Sequence, residues 1–155
     1  MLLVGTANPR GEINTYNGLW YTSDELSSLV QSGSLHGIPV KAEHTGSNVG
    51  TVVSSFLDDS GALQCVIDVS ENSVEGAITS GLIRDGIAAD LSLGYTVDVA
   101  HSDTEKKLKA GEKRLLEVSI VRKGAREKCQ IHAIEEEGKG LRFLQSSDPW
   151  AAFNL

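Results

Sequence analysis

Three side chains in this sequence, His44, Ser92 and Glu117, are of the types that cooperate in nucleophilic catalysis. A serine hydroxyl is a weak nucleophile, a neighbouring imidazole can take its proton, and a carboxylate can hold that imidazole in the required tautomer. Because the three residues lie far apart in the sequence, three different elements of the fold have to bring them together. The residue types therefore raise the hypothesis of a serine hydrolase. The hypothesis requires a fold that brings the three side chains into contact.

Each of the three residues also fits a structural role when it is taken singly. A lone histidine at a strand end, as His44 is, more often makes a structural hydrogen bond than acts as a base. Ser92 lies on the small-residue face of its strand, a pattern that equally describes the wet face of an antiparallel strand. Glu117 interrupts a strand that is apolar on both faces, where a carboxylate needs a polar partner unless the strand is an edge that reaches water.

The elements that must position these residues are mostly short β-rich runs bounded by turn residues. Two segments have helical character, and the first is preceded by a capping box at Thr22 and Glu25. The second carries its apolar residues, Val74, Ala77, Ile78 and Leu82, at helical spacing, so we expect that face to lie on a sheet. The predicted strands are Leu2–Thr6, Gly18–Tyr21, Val49–Leu57, Ala62–Val69, Ala88–Val97, Arg114–Val121 and Cys129–Ile134, and the predicted helices are Asp24–Gln31 and Val74–Leu82.

The number and shortness of these strands indicate the fold class. Seven short strands with a few helices favour a mainly β fold, a closed seven-stranded β-barrel surrounded by short helices, because closure removes exposed strand edges. A β-sandwich is the alternative. The length of 155 residues predicts a single domain, residues 1–145, followed by a polar C-terminal tail, residues 146–155. The charged segment 101–114 is expected to form a mobile, solvated loop or a frayed helix between two strands.

Composition excludes several classes of function. The formal net charge of −7 has the wrong sign for binding nucleic acid, which requires a clustered basic surface. Cys65 and Cys129 have neither a CxxC spacing nor neighbouring metal ligands, so we expect both to be small buried hydrophobes. No run of apolar residues is long enough to cross a membrane, and the N-terminus lacks a secretory signal, so we expect a reducing compartment. The sequence implies no metal and no cofactor.

Four stretches together resemble the herpesvirus capsid maturation proteases called assemblins, and more distantly the tailed-phage prohead proteases that share their fold. They are Ile38–His44 with Val49–Val52 around the histidine, Leu91–Tyr95 around the serine, Glu117–Val121 around the carboxylate, and Gly124–Arg126 at the position of a Gly-Arg-Arg loop. The resemblance implies that Ser92 is the nucleophile, that His44 is the general base and that Glu117 orients His44.

The resemblance also implies an oxyanion hole and leaves one triad position open. It assigns the hole to a backbone amide near Ala125 and to the Arg126 side chain. A single arginine stands where the family has two, so Arg122 and Lys123 are further candidate donors. Assemblins carry a second histidine where this sequence has Glu117, which makes two other residues rivals for the third position: His101 and His132.

The implied activity is that of a serine endopeptidase that cleaves a capsid scaffold protein and its own precursor during capsid or prohead maturation. By the same resemblance the enzyme would be a homodimer packed through a helix, and its cleavage sites would be flanked by small residues. It would act inside the immature capsid or prohead, in a host nucleus if herpesvirus-like and in a bacterial cytoplasm if from a phage. The alternatives are a non-catalytic β-barrel interaction module of a virion or scaffold assembly, and a barrel that binds a small ligand in an apolar cavity.

Overall fold

The computed structural model of the chain describes residues 1–11, 20–44, 46–97 and 113–144. These residues form two helices and eight strands, so the prediction of a mainly β fold with few helices is confirmed. The elements are β1 (Leu2–Asn8), α1 (Ser23–Ser32), β2 (Pro39–Ala42), β3 (Asn48–Leu57), β4 (Leu63–Val69), α2 (Val74–Arg84), β5 (Asp90–Val97), β6 (Lys113–Val121), β7 (Ile131–Glu136) and β8 (Gly140–Phe143).

The strands form one eight-stranded sheet in the order β5-β6-β2-β3-β4-β1-β7-β8. Every neighbouring pair is antiparallel except β2 and β6, which run parallel. The β3–β4 hairpin is closed by a turn at Asp58–Gly61, in which the Asp58 carboxylate accepts the backbone N–H groups of Ser60 and Ala62. Gly61 there has φ of +85°, a conformation that favours glycine.

The prediction of a closed seven-stranded barrel is wrong, because the sheet is open and has eight strands. The strand β7 uses its two edges to pair with β1 and with the unpredicted strand β8, so it is not available for a full ladder with β5. The start of β5 meets the residues before β7 only through an isolated bridge, Asp90 to Gln130, and two flanking backbone hydrogen bonds. The predicted strand Gly18–Tyr21 is also absent where it is described, since Trp20 and Tyr21 belong to no strand.

The helix α1 extends one residue beyond the predicted bounds, Asp24–Gln31, at each end, and it begins at the predicted capping box. The Thr22 hydroxyl accepts the Glu25 N–H while the Glu25 carboxylate accepts the Thr22 N–H, which satisfies two groups that a helix start leaves unpaired. Gly33 closes the helix in the left-handed conformation. The other oxygen of Glu25 lies 2.5 Å from the buried Lys113 ammonium, and this ion pair fixes α1 to the start of β6.

The helix α2 turns a different face to the sheet from the one its apolar spacing predicted. Its buried residues are mostly small: Gly76, Thr79, Ser80 and Ile83. Val74 and Ile78 are instead 72% and 58% exposed. The small residues let the helix pack closely beside β3, with Ile83 as the apolar anchor. Val74, Ala77 and Ile78 of the predicted stripe therefore face outward, while Leu82 is partly buried against the core.

The interior is filled mainly by aliphatic side chains of the sheet, together with Leu26 of α1, Leu35 of the turn that follows it and Ile83 of α2. Cys65 and Cys129 are both buried, as predicted, and burial raises the pKa of Cys65 to about 12. The predicted loop 101–114 lies mostly outside the described residues, and its last two residues belong to β6. None of the helices in the described part of the chain is long and apolar enough to cross a membrane.

Candidate active site

Three adjacent strands, β5, β6 and β2, position the candidate residues. Glu117 lies in β6, the middle strand of the three, and Ser92 lies on β5, where it is directly opposite Ser119 of β6. On the other side β2 runs parallel to β6 and ends at Ala42, two residues before His44. The sheet order therefore brings together residues that are 48 and 73 positions apart in the sequence.

The His44 imidazole joins the other two side chains. The Ser92 hydroxyl donates to His44 Nε2 over 2.9 Å, and His44 Nδ1–H donates to Glu117 Oε1 over 2.5 Å. The carboxylate thus selects the tautomer in which Nε2 is free to accept a proton from the serine. This is the geometry that general-base activation of a serine requires.

A tight connection between β2 and β3 orients the imidazole of His44. Glu43 adopts the left-handed backbone conformation, with φ of +53°, and its N–H donates to the Ile120 carbonyl at the end of β6. The connection closes when Gly46 N–H donates to the Glu43 carbonyl. A Cβ at Gly46 would lie 1.7 Å from the Ala42 carbonyl oxygen, so this turn requires a glycine.

Glu117 is buried, and the site encloses its carboxylate on several sides. Since β6 is paired on both edges, the interpretation of an edge strand whose glutamate reaches water is wrong. Oε2 accepts a hydrogen bond from the Ser119 hydroxyl, and Oε1 accepts the bond from His44. Across the ladder, Gly94 leaves the space that the carboxylate fills, since a Cβ there would lie 1.8 Å from Oε1.

The serine and the histidine differ in their exposure to solvent. Ser92 is 4% exposed, while the His44 side chain is 44% exposed, so the accessible side of the site is the side of the imidazole. The hydrogen bond to Glu117 raises the pKa of His44 above its usual value, although partial burial of the ring opposes this. The carboxylate therefore makes His44 a stronger base than an isolated imidazole.

The loop after β6, residues 122–128, is hydrogen-bonded to two residues of β5, the strand that carries Ser92. Gly124 N–H donates to the Asp90 carboxylate over 2.8 Å, and the Arg126 guanidinium donates to the Tyr95 hydroxyl over 3.1 Å. Asp90 precedes Ser92 by two residues and shares its face of the strand, whereas Tyr95 follows it by three residues and packs on the opposite face, against the core. A cavity of about 370 Å³ borders this loop.

The candidate oxyanion residues have different surroundings. Arg126 is 2% exposed and packs against the rings of Tyr21 and Tyr95, and within the described residues its Nε atom has no hydrogen-bond partner. Ala125 is buried beside it. The further candidates Arg122 and Lys123 have exposed side chains.

The structure does not bring the rival histidine His132 into the site. Its Nε2 atom is hydrogen-bonded to the Thr6 hydroxyl over 2.7 Å, and burial lowers its pKa. His36 is hydrogen-bonded to the Val53 carbonyl. His101 lies outside the described residues, so its candidacy for the third triad position is not tested. Among the described residues, His44 alone bridges a serine and a carboxylate.

The part of the chain that the structure describes contains no cluster of residues that could bind a metal ion. No three His, Cys, Asp or Glu residues there lie close enough together to hold a metal ion.

Two residues of this site were not assigned by sequence analysis, Ser119 and Gly94. A signal for Ser119 was present, because it lies two residues after Glu117 and so shares its face of the strand. Gly94 was recognised only as part of a small-residue face. Gly94 leaves room for the Glu117 carboxylate because it lies opposite Glu117, and this register depends on the pairing of β5 with β6.

Comparison with known proteins gives one family. The family model described as caudovirus prohead serine protease matches residues 28–142, which is more than half of the chain. This range includes all three candidate triad residues and the loop after β6. The match confirms the phage part of the expected resemblance and does not extend to the herpesvirus assemblins. A search of the curated proteins finds no significant match.

Proposed function

The chain belongs to the caudovirus prohead serine proteases, a family of capsid maturation enzymes, and on that premise we propose that Ser92, His44 and Glu117 are its catalytic triad. The observation that carries the proposal is the imidazole of His44, which is hydrogen-bonded to the Ser92 hydroxyl on one side and to the Glu117 carboxylate on the other. This bonding pattern gives each side chain a distinct role.

The arrangement supports acyl transfer in two steps. Ser92 Oγ attacks the carbonyl carbon of the scissile peptide bond while its proton passes to His44 Nε2. The imidazolium then gives that proton to the departing amine, which leaves an ester on Ser92. Water, activated by the same imidazole, hydrolyses the ester and restores the serine. Glu117 stabilises the imidazolium that forms in each step.

We propose that the loop after β6 supplies the oxyanion hole, through the backbone near Ala125 and the side chain of Arg126. Its anchors at Asp90 and Tyr95 support this assignment, since they attach the loop to the strand that carries Ser92. Donors held rigidly beside a developing oxyanion are typically the largest electrostatic contribution to acyl transfer.

The substrate proposal rests on the family and on the resemblance. The place of action is the interior of the phage prohead, and we propose that the substrates are the scaffold protein and the enzyme's own precursor, cut between small residues. The homodimer remains part of the proposal, and the exposed apolar face of α2, formed by Val74, Ala77 and Ile78, is the candidate contact.

A processing assay tests the proposed function. The chain is expressed with a fusion that carries the scaffold protein of the same phage, and cleavage of the fusion is followed by gel and by mass spectrometry. We expect Ser92→Ala and His44→Ala to abolish cleavage and Ser54→Ala, an exposed serine of β3, to leave it unchanged. Processing at the wild-type rate by either triad variant would contradict the proposal and favour a non-catalytic interaction module.

A further inference from the structure

The serine next to the triad on β6, Ser119, contacts the carboxylate oxygen that the histidine leaves unused. Its hydroxyl donates to Glu117 Oε2, whereas His44 Nδ1–H donates to Oε1. Ser119 is 0% exposed and lies directly opposite Ser92 in the β5–β6 ladder. One hydroxyl of this buried pair therefore faces the imidazole and the other faces the carboxylate.

A buried carboxylate needs this second donor. Removing Glu117 from water has a large free-energy cost unless hydrogen bonds replace those it loses, and an oxygen without a donor would favour rotation of the group toward another partner. Ser119 fixes one oxygen, and Gly94 leaves room for the other at the position from which it reaches His44. The plane of the carboxylate is set by these two neighbours together.

Ser119 is not a second nucleophile. In the described residues its hydroxyl is bonded to a carboxylate and not to an imidazole, and the fully buried position gives a substrate carbonyl no access. An effect of Ser119 on the reaction must therefore pass through Glu117.

We propose that Ser119 is a positioning residue of the active site, which holds the Glu117 carboxylate in the orientation that lets it bond and polarise His44. The proposal rests on the proposed function, since it matters for catalysis only if His44 activates Ser92. It predicts that loss of the Ser119 hydroxyl lowers the reactivity of Ser92 without altering the residues that touch the substrate.

The test measures how fast a small alkyl fluorophosphonate labels the protein. In this reaction Ser92 Oγ forms a bond to phosphorus, fluoride leaves, and the serine proton passes to His44. We expect Ser119→Ala to lower the second-order labelling rate about 10- to 100-fold, the scale expected for a misplaced catalytic group. Ser119→Thr, which keeps the hydroxyl, should recover most of the rate, and the matched control Ser54→Ala should label as the wild type does.

A double-mutant cycle with Glu117→Gln separates positioning from a general structural effect. If Ser119 acts through Glu117, the double variant labels no more slowly than Glu117→Gln alone. A full additional loss in the double variant would overturn the proposal, as would a wild-type rate in Ser119→Ala. Should the alanine variant not fold, Ser119→Cys is used in its place, since the thiol fills a similar space and donates only weakly.

Proton NMR of His44 Nδ1–H tests the same contact independently of activity. The proposal predicts that the far-downfield signal of this short hydrogen bond moves upfield in Ser119→Ala and returns in Ser119→Thr. A wild-type protein that fluorophosphonate does not label would contradict the proposed function, whereas an unmoved signal would contradict the positioning role of Ser119. The two failures are thus distinguishable.

Discussion

Replacing Gly94 with alanine places a methyl group where the Glu117 carboxylate now lies. The added Cβ would be 1.8 Å from Oε1, 2.5 Å from Cδ and 2.9 Å from Cγ of Glu117. Since ordinary carbon contacts are about 3.5 Å or longer, the end of the glutamate side chain has to withdraw by roughly 1.5 Å. The 2.5 Å hydrogen bond to His44 cannot survive that displacement.

The cost of this substitution falls mainly on activity. Losing the group that orients the histidine lowers a serine protease's rate by up to about 10⁴-fold, and a displaced carboxylate keeps part of its effect, so we expect a loss between about 10²- and 10⁴-fold. The atoms that collide belong to the flexible end of one side chain, so the backbone keeps its place. We expect the free energy of unfolding to fall by about 1–3 kcal/mol, the usual cost of breaking a buried hydrogen bond.

The assay is fluorophosphonate labelling of Gly94→Ala, with denaturant unfolding measured on the same preparation. Gly81→Ala is the matched control, because a Cβ at this position of α2 meets nothing within 4 Å, and alanine should stabilise the helix by about 0.5–1 kcal/mol without altering labelling. The double variant Gly94→Ala with Glu117→Ala should regain stability and stay unreactive. A folded Gly94→Ala protein that labels at the wild-type rate would refute the account of how Glu117 is held.

Three further results are expected. Because the hydrogen bond from Glu117 raises the pKa of His44, and only the neutral imidazole accepts the serine proton, the acid limb of the kcat/KM profile should lie above pH 6.5, the usual histidine value, and Glu117→Gln should move it to lower pH. Arg126→Ala should lower kcat by about 10²–10³-fold if the loop after β6 holds the oxyanion, and an unchanged kcat would remove Arg126 from that role. Ile78→Glu on α2 should convert the proposed homodimer into a monomer in sedimentation experiments, while an unchanged sedimentation coefficient would place the contact elsewhere.

Local signals in the sequence were sufficient for some elements. The Thr22 and Glu25 capping box acts within one helical turn, so it located the start of α1. Alternating apolar residues located most of the strands for the same reason, since each strand carries its own period of two. The position of Glu117 in an apolar strand correctly indicated that it needs a polar partner.

Features that depend on long-range pairing could not be predicted in this way. The prediction of a closed barrel was wrong because closure depends on strand order. The sequence of β7 does not indicate that it pairs with β8. The prediction of which face of α2 is buried was also wrong. The helix buries the face with the small residues Gly76 and Ser80, which allow close packing, and not the face with the apolar spacing. The roles of Gly94 and Ser119 emerge only from the register between β5 and β6.

The most direct test of the central claim is the site of covalent modification by a fluorophosphonate. The purified chain is treated with the reagent, and intact and peptide masses are read beside those of Ser92→Ala and His44→Ala. We expect one adduct, located on Ser92, that is absent from the first variant and strongly reduced in the second. No adduct on the folded wild-type protein, or an adduct on another serine, would contradict the claim that His44 and Glu117 activate Ser92.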